Sequence, residues 1–167
     1  MRLLFILLTC IMVVAVTTSS KGSSEDDYKE RFISTIKGCL KAHNSVSETF
    51  IPESLVIAQG AIESNWGRSR FATEGNALFG VRTYDLSVPH MKPLDNLHAN
   101  FGVKIYESSC ASVSDYLILL ETSHHYEGFR QTLTYENHTM KDLVYSLEVY
   151  SENSEYPQIL LSITRKF

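Results

Sequence analysis

Glu63 is the residue with the most readily usable chemistry in this chain. It lies near the end of a stretch that opens at Ile51-Pro52-Glu53, closes at Trp66-Gly67 and reads as a helix. Proline suits a first helical turn, Glu53 suits the positive end of the helix dipole, and glycine is a natural stop. Leu55, Ala58 and Ile62 share one face of that helix, and Val56, Gln59 and Glu63 share the next. A carboxyl at the end of an apolar helix is partly desolvated and feels the negative end of the dipole. Both effects disfavour its charged form and raise its pKa. A carboxyl that keeps its proton near neutral pH can hand it to a leaving oxygen as a general acid. Gln59, one turn earlier on the same face, is placed to hydrogen-bond Glu63 or a substrate. A lone glutamate near a helix end is ordinarily a solvated surface residue, so the reading depends on its company. That company is Asn76-Ala77-Leu78-Phe79-Gly80 just downstream, Tyr84 beyond it, and Tyr156 near the end.

The elements that must position these groups can be read from periodicity. Phe32, Ile33, Ile36 and Leu40 form a helical stripe within Tyr28 to His43, with Ser24 and Asp27 at the spacing of an N-terminal cap. Helical periodicity fades between Phe71 and Glu107. There, residues 79–84 and 103–106 are rich in β-branched and aromatic side chains and predict two short strands. The segment between them, Asp85 to Asn100, holds Pro89 and Pro93 and predicts a long loop. Helices return at Ser112 to His125, at Met140 to Tyr150 behind a Thr139/Asp142 cap, and from Pro157 to about Arg165. The expected fold is mainly α (α+β): a helical domain with a small β-hairpin lobe, and a cleft where the two meet.

Composition narrows the function. The 167 residues are enough for one domain with a real core. A net charge of -4 without any basic cluster excludes a phosphate-backbone binder, so no nucleic-acid partner is expected. Arg2, an apolar run from Leu3 to Val16 of about 14 residues, and the small residues up to Ser20 match a secretory signal over 1–20. The run is short of the roughly 20 apolar residues a membrane span needs, so membrane contact is expected only through that segment while uncleaved. Residues 21–27 read as a linker and 28–167 as the working domain, secreted or periplasmic and monomeric. Cys39 and Cys110 remain after cleavage, and can pair in an oxidising compartment or stay buried as thiols. Asn137-His138-Thr139 fits a glycosylation acceptor, which matters only in a eukaryotic secretory route. His124, His125 and Glu127 invite a metal reading. Neighbouring helical histidines point about 100° apart, so no metal and no cofactor are expected.

The segment Ala58 to Ser69, Ala-Gln-Gly-Ala-Ile-Glu-Ser-Asn-Trp-Gly-Arg-Ser, resembles the glucosaminidase family, glycoside hydrolase family 73. That family includes the flagellar peptidoglycan hydrolases and the Bax-like proteins. Its members typically show Ala-Gln-Ala-x-x-Glu-Ser-x-Trp-Gly-x-Ser, then Gly-Asn-Asn-Leu-Phe-Gly, which Gly75 to Gly80 matches except at Ala77. Tyr106, Ser108, Ser112 and Tyr116 resemble a later family run, and Tyr150, Ser151 and Tyr156 its C-terminal segment. The resemblance spans about residues 50 to 165 and departs at Gly60, where alanine is usual, with a helix-propensity loss of about 1 kcal/mol.

The resemblance implies a lysozyme-like helical fold and an exported β-N-acetylglucosaminidase cleaving β-1,4 bonds in peptidoglycan glycan strands. It implies Glu63 as general acid and Tyr156 as the cleft tyrosine that positions the acetamido group or a water. It also implies sugar subsites lined by Asn76, Phe79 and Gly80. Ser64 belongs to the same motif and is expected at the substrate. Tyr84 is the better stacking candidate, while Trp66 either stacks on a sugar or caps the core. Candidates for a second carboxylate are Glu74, Asp85, Asp95 and Glu107, with Asp85 preferred, although chemistry assisted by the substrate's acetamido oxygen needs none. Two competing readings are a lytic transglycosylase or muramidase of the same fold, and a non-catalytic wall-binding module.

Overall fold

The computed structural model describes residues 25–45, 47 and 49–167. The expected signal segment 1–20, residues 21–24 of the expected linker and the Ser24 cap lie outside the described residues. The first helix, α1 (Glu25–Asn44), already includes residues 25–27 and so begins three residues before the stripe that predicts it. Then follow α2 (Glu53–Ser64), α3 (Arg70–Gly75), β1 (Arg82–Thr83), β2 (His90–Met91) and β3 (Gly102–Lys104). The chain continues with α4 (Ser109–Thr122), a 3-10 turn at His124–Tyr126, α5 (Glu127–Thr134), α6 (Met140–Tyr145), a second 3-10 turn at Glu148–Tyr150, and α7 (Tyr156–Thr164).

The architecture is helical with one small sheet, as the sequence predicts, but the lobe is more than a hairpin. Its strands are antiparallel in the order β1-β3-β2, with Arg82 opposite Val103 and Met91 opposite the other edge of Val103. The segment expected as one loop therefore contributes β2. Two residues of strand are too short to show a period, and Pro89 masks them in the sequence. Helices α3 and α5 are likewise absent from the periodicity reading. Helix α3 has only six residues, nucleated by Ser69, whose hydroxyl accepts from the Ala72 amide. The Thr139/Asp142 cap is a full capping box, but α6 stops at Tyr145, not Tyr150.

Helix α2 runs through the centre. Leu55, Val56, Ile57 and Ala58 are all fully buried, and Gln59, Gly60 and Ala61 continue the buried run. A helix apolar on every side must be surrounded, and α1 and α7 pack against it. Gly60 is explained by this crowding. A Cβ there would meet the Phe32 ring at 3.1 Å and the Phe79 ring at 3.2 Å, so with any side chain both rings would have to give way slightly.

The helix ends in a turn unlike the glycine stop expected. Asn65, Trp66 and Gly67 all adopt positive φ, at 50°, 57° and 77°. Asparagine visits the left-handed region readily, but a tryptophan there is strained. Ser64 holds the turn: its hydroxyl donates to the Gly60 carbonyl at 2.5 Å and accepts from the Gly67 amide at 2.7 Å.

The two thiols that sequence left open are joined. Cys39 of α1 and Cys110 in the first turn of α4 form a disulfide across a sequence separation of 71, at a Cα–Cα distance of 4.8 Å. Closing a loop of that length removes unfolded-state entropy worth about 4 kcal/mol. Reduction, or Cys110→Ser, is therefore expected to lower unfolding stability by about that amount in denaturant titrations, because the constraint acts on the unfolded chain.

Candidate active site

Glu63 stands on the last turn of α2, half-buried, at the floor of a cleft of about 580 Å³. Gly80, Arg82 and Tyr84 form its β-lobe wall. Leu119 and Tyr126 line the wall at the end of α4, and the turn 149–153 closes a third side. A groove of this size accommodates a sugar unit, within the volumes usual for ligand sites.

The carboxyl is held in opposing balance. Burial pushes the Glu63 pKa up as the larger effect, and a hydrogen bond from the Tyr156 hydroxyl pulls it down. The net shift is upward. Behind this pair runs a chain of fixed polar contacts. Gln59 Nε2 donates to the Tyr156 hydroxyl at 2.9 Å. The Tyr116 hydroxyl donates to Gln59 Oε1. Tyr156 is 3% exposed, and Gln59 and Tyr116 are fully buried. Burial first, then the nearby Glu63 charge, raises the Tyr156 pKa. Burial also raises Tyr116 well above the tyrosine range, followed by the charge of Tyr156. All these phenols therefore remain protonated, and act as hydrogen-bond donors at any ordinary pH.

Aromatic rings frame the chain. Phe79 stacks on Tyr116 at 4.0 Å between centroids and 7° between planes, and Tyr150 lies nearly parallel to Tyr156 at 6.2 Å. The Tyr150 hydroxyl donates to the Phe79 carbonyl at 2.7 Å, tying the turn 148–150 to the β-lobe. On the open side, Tyr84 is 68% exposed and leans on Phe101 at 6.2 Å, while the Arg82 guanidinium lies 4.7 Å over the same ring.

The residues singled out from sequence separate into distinct groups. Glu63, Phe79, Gly80 and Tyr84 line the cleft, and Tyr156 reaches it through its bond to Glu63. Gln59 sits behind Tyr156 with both amide ends occupied by tyrosines, so it hydrogen-bonds these and is not open to substrate. Ser64 is spent on the turn after α2. Trp66 packs edge-on against Phe32 at 5.9 Å and beside Phe167 at 6.4 Å, outside the cleft lining, which is the core alternative. Asn76 caps α3 in the left-handed region and donates from Nδ2 to the Tyr106 carbonyl at 2.9 Å, so it braces the lobe.

Asp85, the preferred second carboxylate, lies outside the cleft lining. Its Oδ1 accepts from the Ser87 hydroxyl at 2.6 Å and the Ser87 amide at 2.9 Å, and these bonds hold its pKa below the ordinary aspartate value. Glu74, Asp95 and Glu107 are also outside the lining, and Glu74 pairs with Arg70 at 3.5 Å. The second cleft carboxylate among the described residues is Glu152, on the turn before α7. Sequence reasoning passed over it, together with Arg82 and Tyr126. The polar run Ser151-Glu152-Asn153-Ser154 between two helices was the available signal for Glu152.

The glucosaminidase family profile, described as mannosyl-glycoprotein endo-β-N-acetylglucosaminidase, matches residues 39–167. The chain belongs to the glucosaminidase family. It is similar to the exo-glucosaminidase LytG of Bacillus subtilis (strain 168), at 35% identity over 77 residues, which are 43% of this chain and 27% of that relative. The match thus spans about a quarter of the length of that curated relative. Among solved structures, the catalytic domain of the autolysin Auto from Listeria monocytogenes superposes with a TM-score of 0.61 at 24% identity, covering 87% of this chain and 88% of that one. A truncated glycoside hydrolase domain of FlgJ from Salmonella typhimurium gives a TM-score of 0.57 at 21% identity, covering 83% and 96%. These likenesses establish the shared glucosaminidase fold, in agreement with the fold expected from the sequence.

The burial of Glu63 has a consequence for stability. Its folded pKa lies above the unfolded one. The favourable contribution of its protonated form is complete below the ordinary glutamate range and is lost as pH rises through the folded pKa. Above that folded pKa, an ionised Glu63 is a burden on the fold. A Glu63→Gln variant is expected to melt higher than the native protein there, with the difference closing on acidification, as thermal unfolding at several pH values will show.

Proposed function

We propose that the protein is an exported hydrolase of bacterial cell-wall glycan, a β-N-acetylglucosaminidase cleaving β-1,4 bonds with Glu63 as general acid. The observation that carries this reading is a carboxyl of raised pKa at the floor of a sugar-sized cleft. A glycan strand lying along the cleft would stack a ring on Tyr84 and set a glycosidic oxygen over Glu63. Glu63 then protonates that oxygen as the bond to C1 breaks, and the positive charge that develops on the sugar is met by an ionised carboxylate. Tyr156, held against Glu63, is placed to steady the acid and the sugar substituent beside it.

Water must then attack C1. The sequence preference for Asp85 as its activating base is not carried forward, because that carboxylate is committed to Ser87 outside the cleft. Glu152 or the substrate's own acetamido oxygen is left to take the part. Export to a secreted or periplasmic location is supported by the apolar start of the chain and by the Cys39–Cys110 disulfide, which forms in oxidising compartments. The protein is proposed to act as a monomer on peptidoglycan strands, without a metal or cofactor.

Glu63→Gln is expected to reduce cleavage of purified peptidoglycan by about a hundredfold or more, the usual contribution of general acid catalysis. Fragments from the native protein should carry reducing-end N-acetylglucosamine, and anhydro-muramic ends would point to a transglycosylase instead. Tyr84→Ala is expected to raise KM with little change in kcat, and Asp85→Asn to leave both unchanged.

A further inference from the structure

The contacts behind Glu63 have a fixed direction. The Tyr116 hydroxyl donates to Gln59 Oε1. With Oε1 facing Tyr116, Nε2 points at Tyr156 and donates to its oxygen at 2.9 Å. With its oxygen occupied by a donor, the Tyr156 hydroxyl has its own proton free, and that proton goes to Glu63. All three groups are buried, so no water is available to relax the order.

We propose that Gln59 and Tyr116 are positioning residues: they orient the Tyr156 hydroxyl so that it donates to one oxygen of Glu63, leaving the acid proton on the other. The inference rests on Glu63 being the general acid. A carboxyl that can carry its proton on either oxygen loses part of its population to the unproductive one, and a donor fixed on one oxygen removes that loss. The same donor stabilises the carboxylate and opposes the effect of burial.

The other groups facing Glu63 are neutral phenols or lie across the cleft. Tyr116 approaches from α4, Tyr156 from α7, and Tyr126 and Tyr150 from the two 3-10 turns, both of the latter raised chiefly by burial. Arg82 from β1, His125 from the first turn and Glu152 from the turn before α7 share the cleft. None of these last three belongs to the hydrogen-bond chain, so a change at Tyr116 or Gln59 leaves their charges in place.

Two variants test the order of donors. Tyr116→Phe frees the amide, so Gln59 can turn its oxygen to Tyr156 and draw the proton away from Glu63. Gln59→Glu, close to isosteric, gives Tyr156 an acceptor where it had a donor. The readouts are kcat and KM on purified peptidoglycan against pH, and a 13C titration of the Glu63 carboxyl. In both variants kcat is expected to fall about tenfold, the worth of one hydrogen bond, with KM unchanged. Glu63 loses a contact that favours its charged form, so both its titration and the alkaline limb of kcat are expected at higher pH. Circular dichroism and melting identify folded protein, and if Tyr116→Phe does not fold, Gln59→Glu carries the test. A titration and limb coincident with the native ones in a folded variant overturn the proposal, since a purely structural loss would lower rate without moving either. A native protein that cleaves no glycan would defeat the functional reading, and the carboxyl titration alone would then decide the orientation of Tyr156.

Discussion

The desolvation of one carboxylate organises this molecule. Glu63 is carried half-buried to the cleft by a helix whose central residues are buried on all sides, and the cost of its charge there is what raises its pKa. The remaining features of the site either enforce that burial or limit it. Phe79 and the aromatic frame exclude water from one side, while the Tyr156 hydroxyl returns a single polar contact. Without that contact the carboxyl would be held neutral more strongly and with less control over its direction. With several such contacts it would behave as an ordinary surface glutamate.

The fold meets this requirement through crowding at α2. Phe32 of α1 and Phe79 of the β-lobe both approach Gly60 so closely that a Cβ would displace them. The glycine costs the helix about 1 kcal/mol in propensity, a loss offset by bringing two rings against the same turn of backbone. Three successive left-handed residues then turn the chain immediately after Glu63 and Ser64. Strained backbone concentrates at functional sites, and here Ser64 bonds both before and after the turn, so the strain is held locally. The disulfide from α1 to α4 secures the helix that supplies Tyr116.

The cleft has unequal walls. Its inner side is aromatic, closely stacked and tied by hydrogen bonds. Its outer side, with Tyr84, Arg82 and Glu152, is exposed and offers a flat ring and charges of both signs. Under the proposed function, tight placement of an acid and looser contact with a long polymer are separate tasks, and they would fall to separate elements. Glu63 stands on a buried helix, while the exposed groups of the cleft come from a short-stranded lobe and from turns.

Local pattern was sufficient to identify the helix bearing Glu63, because Pro52-Glu53 opens it, Gly67 follows its end and apolar residues recur at helical spacing between them. The Thr139/Asp142 cap, the helical class with a small β-lobe and the likeness to the glucosaminidase family were legible for similar reasons, since each is encoded by residues near one another in the chain. Short elements were not legible: β2 has two residues and α3 six, too few to show a period. Only the tertiary structure decided that Gln59 bonds to tyrosines 57 and 97 residues away rather than to a substrate. It alone showed that Ser64 and Asn76 brace the backbone, that Trp66 packs against the core, and that Cys39 meets Cys110. It also placed Glu152 in the cleft and Asp85 outside it. Which atoms share a hydrogen bond or a solvent-facing wall depends on how distant segments pack, and spacing along one segment carries no information about that.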